Sequence, residues 1–142
     1  MDIVIPTWAV SIIVALIGIL GIFSVQRYIA FKAASVKFRV AVLAELGSIY
    51  PDSFNWPKDI RSFLRAAFPN LQAAVVEFSD AIPMWRRRAF KRSWHRFYGE
   101  GQGEQHLYHQ YMEFHSPGEP IPEYKTIFHD NVSLLLSFTK ET

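Results

Sequence analysis

Residues 3–26 read IVIPTWAVSIIVALIGILGIFSVQ, 24 positions without a charged side chain. A helix needs about 20 apolar residues to cross the ~30 Å hydrocarbon core of a bilayer. Between Trp8 and Val25 lie eleven Ile, Val, Leu and Phe residues. Each favours insertion by a few tenths of a kcal/mol, roughly 5 kcal/mol together, and no charge opposes them. Every face of the segment is apolar, whereas a helix on a soluble core would carry one apolar stripe. Pro6 falls where a first turn tolerates it, and Trp8 and Tyr28 bracket the run as aromatic residues suited to the two interfaces. A cleaved signal peptide calls for a positive leading region and a small-residue cleavage site. Here the only charged side chain ahead of the run is Asp2, and residues 21–26, GIFSVQ, contain no A-x-A-like site. The reading is a transmembrane anchor over residues 1–26, with the lipid bilayer as partner of residues 3–26, and a helical domain over residues 27–142.

The flanking charge sets the expected orientation. Arg27, Lys32, Lys37 and Arg39 follow the span before the first acid, Glu45, while its other side has no Lys or Arg. Basic residues close to a span are retained on the cytoplasmic side. The expectation is a single-pass protein of the inner (plasma) membrane, N-terminus out and C-terminal domain cytoplasmic. Ser11 and Ala15 form a small-xxx-small pair, followed by Gly18 and Gly21, residues that let two helices approach closely. A homo-oligomer is therefore one possible partnership, a separate protein another.

Helical spacing continues beyond the span. Phe31, Ala34, Phe38, Val42, Leu46 and Ile49 recur at steps of three and four, and no Gly or Pro interrupts residues 25–46. The first helix is expected to leave the bilayer and form one wall of the domain, stopping at Gly47 and Pro51. Pro punctuation then predicts shorter helices over residues 57–68, 71–82 and 84–98. Pro69-Asn70 ends the first of these, and Asn70 caps the second. A last helix, residues 123–139, presents Tyr124, Phe128, Val132, Leu135 and Phe138. Residues 99–103, GEGQG, read as a flexible loop, residues 104–115 as a weak polar helix or ordered loop, and residues 116–122 as irregular. No stretch alternates with period two. The fold class is all-α: a single N-terminal transmembrane helix continuing into a small four- to five-helix bundle.

The chain has no cysteine, which removes disulfides, thiolate metal sites and Cys nucleophiles. The most distinctive surface feature is cationic. Between Asp80 and Glu100 there is no acid, whereas Arg86, Arg87, Arg88, Lys91, Arg92 and Arg96 are all basic. Arg88, Lys91, Arg92 and Arg96 are expected to share a helix side opposite a face of Trp85, Ala89, Phe90, Trp94 and Phe97. That cationic side suits an acidic protein partner or anionic lipid head groups. It also suits the phosphates of nucleic acid, for which no recognition motif accompanies the charge, or it is simply a solvated face. The Trp85, Phe90, Trp94 and Phe97 rings have the spacing of a buried face rather than of base-stacking residues. His106, His109 and Glu113 stand at ligand-like spacing without a second motif, and Tyr108 and Tyr111 are expected to pack inward. No nucleophile elbow or phosphate loop is present. The expectation is a non-enzyme with no catalytic residue, no cofactor and no metal.

Phe38-Arg39, Glu45-Leu46, Phe63-Leu64, Ala67-Phe68-Pro69, Ala74-Val75 and Glu77-Phe78, with Arg88, Phe90, Trp94 and Tyr98, carry a resemblance. Over residues 38–98 the chain resembles an uncharacterised family of small all-helical proteobacterial proteins. The resemblance implies a helical bacterial module and transfers no activity. The functional expectation is a membrane-anchored protein-interaction or scaffolding module, with a nucleic-acid-binding or mobile-element-associated protein as the alternative.

Overall fold

The computed structural model describes residues 6–99, 108–112 and 123–140. Among them are four α-helices and no strand: α1 (Thr7–Leu46), α2 (Ile60–Ala81), α3 (Met84–Tyr98) and α4 (Tyr124–Ser137). Short 3-10 turns occupy Ser53–Asn55 and His109–Tyr111.

At 1.5 Å per residue, the 40 residues of α1 span about 60 Å. The helix has two unlike halves. Residues 10–30 are exposed on every side, and this half is long and apolar enough to cross a membrane. A Cβ added to Gly18 or Gly21 would meet nothing within 4 Å, so these two glycines pack against none of the described residues. From Phe31 onward one face closes onto the domain, and Phe38, Val42, Leu46 and the following Ile49 are buried. Gly47 ends the helix as expected, its N–H donating to the Leu43 carbonyl at 2.8 Å.

Each helix runs back along the one before it. In α2, Glu77 pairs with Lys37 of α1, and Asn70 donates to Glu45 at 2.7 Å. The Phe38 and Phe78 rings stack at 4.6 Å. Between α2 and α3, Phe90 meets Phe78 edge-on while Trp94 stacks on Phe68 and donates to Gln72 at 2.9 Å. Between α3 and α4, Phe90 meets Phe138 and Phe97 meets Phe128. The ring closes where Tyr50, just past α1, stacks on His129 of α4 and shares a hydrogen bond with Ser133. Each fully buried large apolar side chain contributes about 1.5–3 kcal/mol of transfer free energy, so this shared aromatic core holds the domain together.

The break expected at Pro69 is absent. Residues 60–81 form one helix with Pro69 inside it. Its N-cap is Asp59, whose carboxylate accepts from the Ser62 N–H at 3.0 Å, and Asn70 caps nothing. An interior proline costs about 3 kcal/mol. Pro69 lies on the exposed side, whereas Ile60, Leu64, Ala67, Leu71, Val75 and Phe78 stay buried along one continuous stripe through it. The packing of that stripe exceeds the proline's penalty.

Candidate interaction surface

The cationic helix α3 begins at a tight corner. Ala81 ends α2, and Ile82 and Pro83 turn the chain into Met84. The corner is fixed by Arg87, which donates to the carbonyls of Ile82 and Asp80 at 2.9 Å each, occupying orphan acceptors at the end of α2. Arg86 lies over the Phe138 ring, 5.4 Å from its centroid, and reaches the Lys140 carbonyl at 3.5 Å. Arg86 and Arg87 thus lean toward the fold, one over an aromatic ring and one on a helix end.

The other four cations point outward. Arg88, Lys91, Arg92 and Arg96 are exposed, and among the described residues no carboxylate lies within ion-pair distance of any of them. The expected side of Arg88, Lys91, Arg92 and Arg96 therefore exists. The expectation for Trp85 does not hold, because its side chain is 82 % exposed and Ala89 is exposed beside it. The buried face is set by Phe90, Ser93, Trp94 and Phe97. At 3.6 residues per turn Trp85 is about 140° round from Phe90 and falls on the same side as Arg88, Arg92 and Arg96. The outward surface of α3 is consequently aromatic at its base and cationic above.

The direction of α3 decides what each part can reach. Because the helices alternate, the α2–α3 corner lies beside the point where α1 loses its domain contacts. Ser24, Arg27, Tyr28 and Phe31 of α1 line one cleft with Ala81, Pro83, Trp85 and Arg86, about 370 Å³ in volume. The axis of α3 rises from there along α1. Arg96 stands eleven residues, or about 16 Å, above Trp85.

A second cleft, about 460 Å³, opens at the far end of the bundle between Phe54, Trp56, Lys58, Tyr111, Tyr124 and Lys125. Phe54 is 92 % exposed, and Lys125 lies 5.9 Å from the Trp56 and Tyr124 rings. This surface is not visible as a pattern, since its residues come from an irregular stretch and from the start of α4. The one local signal is a bulky Phe54 in a loop bounded by Pro51 and Pro57.

Of His106, His109 and Glu113, only His109 lies within the described residues, exposed in the 3-10 turn. The described residues hold no group of three or more His, Cys, Asp or Glu able to hold a metal ion. The loop expected at residues 99–103, apart from Gly99, and the irregular stretch 116–122 lie outside the described residues. Tyr108 and Tyr111 do pack inward, both fully buried. Tyr111 donates to the Phe97 carbonyl at 2.6 Å and accepts from Asn131 at 2.9 Å. Burial pushes both phenols well above the ordinary tyrosine range.

No protein family, curated protein or solved structure matches this chain. The resemblance over residues 38–98 rests on those residues alone.

Proposed function

We propose that the chain is a single-pass inner-membrane protein whose helical domain stands on the cytoplasmic face and binds a protein partner through the outward side of α3. The observation that carries this reading is the division of α1. One unbroken helix is bare and apolar over residues 10–30 and then becomes a wall of a packed domain. In water the bare half would expose Ile, Leu, Val and Phe side chains on all sides, and a bilayer removes that cost. The basic flank Arg27, Lys32, Lys37 and Arg39 supports retention of the domain in the cytoplasm.

Four exposed cations without a carboxylate partner among the described residues, rising away from the bilayer on α3, favour an acidic surface of another protein over lipid for Arg92 and Arg96. Head-group attraction fades within a Debye length of the membrane. On this reading the domain acts as a scaffold. The test is crosslinking with mass spectrometry on the full-length chain in native membranes, comparing it with Arg88→Glu/Lys91→Glu/Arg92→Glu. Partner crosslinks that vanish in the variant, while the chain stays in the membrane fraction, support the reading. Crosslinks that persist overturn it. Nuclease-sensitive adducts that fall steeply with salt would assign the face to nucleic acid instead.

A further inference from the structure

Trp85 and Met84 are 82 % and 76 % exposed at the base of α3, although both are large and apolar. The four α1 residues of the adjoining cleft, Ser24, Arg27, Tyr28 and Phe31, fix the depth of these side chains. Arg27 is the first charge after the apolar run, so on the membrane reading, on which this inference rests, the hydrocarbon boundary lies near Gln26. Ser24 to Phe31 then covers about 10 Å of rise across that boundary. The polar layer of one leaflet is about 5–8 Å thick. The cleft therefore opens within the head-group layer, with Trp85 and Tyr28 where interfacial aromatic residues accumulate.

We propose that this cleft binds the head group of an anionic phospholipid from the leaflet into which α1 emerges. Arg27 on α1 and Arg86 on α3 flank it and supply the positive charge for the phosphate. The Trp85 ring lies against the glycerol region, and the exposed Met84 enters the acyl boundary. A volume of about 370 Å³ is of the order of small-ligand sites and accommodates a compact head group. The occupant is a lipid rather than a free phosphate because the cleft adjoins the apolar surface of residues 10–30, where acyl chains already lie. Bound lipid would bridge α1 to the α2–α3 corner and hold the bundle upright on its span.

The full-length chain is reconstituted in vesicles of equal phosphatidylcholine and phosphatidylglycerol, floated, released into mild detergent and weighed by native mass spectrometry. The expected result is a phosphatidylglycerol adduct favoured about thirtyfold over phosphatidylcholine, the contribution of two basic residues near an anionic surface. Arg27→Gln/Arg86→Gln should return the ratio to that of the bulk lipid, and Trp85→Ala should weaken the adduct with helicity unchanged by circular dichroism. Lys91→Gln/Arg92→Gln, higher on α3, should leave the ratio intact. Equal loss in that control, or no preference in the native chain, overturns the cleft while leaving the anchor standing. Displacement of the adduct by excess inorganic phosphate assigns the cleft to a free anion and overturns the lipid. A chain that does not float with the vesicles overturns the anchor and the cleft together.

Discussion

Two tryptophans and two tyrosines show how position decides the fate of one chemical group. Trp85 and Trp94 sit nine residues apart, two and a half helical turns, so they face opposite ways. Trp94 is buried and its indole N–H finds Gln72, while Trp85 looks outward beside Arg88 and Arg92. Counting hydrophobic residues at helical spacing groups Trp85, Phe90, Trp94 and Phe97 on one face, and only the phase of the turn separates them. Tyr108 and Tyr111 are both buried, yet their hydroxyls differ. Tyr111 bonds to Phe97 and Asn131, whereas the Tyr108 hydroxyl has no hydrogen-bond partner among the described residues. Removing one partner of a buried bond strands the other at a cost of about 1–3 kcal/mol. Tyr111→Phe should therefore lower the thermal midpoint of the full-length chain in detergent, followed by circular dichroism. Tyr108→Phe should leave it unchanged or raise it. Equal losses in the two variants would contradict the bonding described for them.

Among the helices, α2 departs most from its reading in sequence. Pro69-Asn70 is a stop signal by every local rule, and the helix continues through it. A proline removes one hydrogen bond and crowds the preceding turn, both local effects. The stripe from Ile60 to Phe78 gains its energy from α1 and α3, which no local window contains. Pro69→Ala restores the missing donor on an exposed face, so it should stabilise the chain by about 1–3 kcal/mol, read as a higher melting temperature. A fall would mean that Pro69 holds a bend that α2 needs. The first helix was legible because its two halves obey different rules: unbroken apolarity for the span, three-four spacing for the wall. Its outer side keeps Val36 and Val40 exposed beyond the apolar run.

For the whole molecule, pH separates the candidate span from the helical domain. The buried phenols of Tyr108 and Tyr111 are held neutral by desolvation above all, their folded pKa raised over the ordinary value of 10.0. An unfolded chain ionises them from about pH 10, a folded one only later. Their contribution to stability is thus complete below pH 10 and is lost as pH rises through the folded pKa. The described part of the span, by contrast, has no titratable side chain before Arg27. An alkaline carbonate wash should accordingly loosen the domain, seen as lost near-ultraviolet dichroism, while the chain remains in the membrane pellet. Release of the intact chain into the supernatant would refute the anchor.

Composition and periodicity by themselves determined that the chain is helical, that its opening segment suits lipid, and most of the core residues of α1 and α4, though not the buried Ser35 and Asn131 or the half-buried Tyr124. These are properties of consecutive residues, and a helix converts consecutive order into a face by a fixed rotation. The continuity of α2, the outward turn of Trp85, the pairing of Arg87 with the end of α2 and the cleft beside Arg27 depend on helices distant in sequence lying side by side. Their energies come from contacts between segments, so they came into being only when the bundle closed.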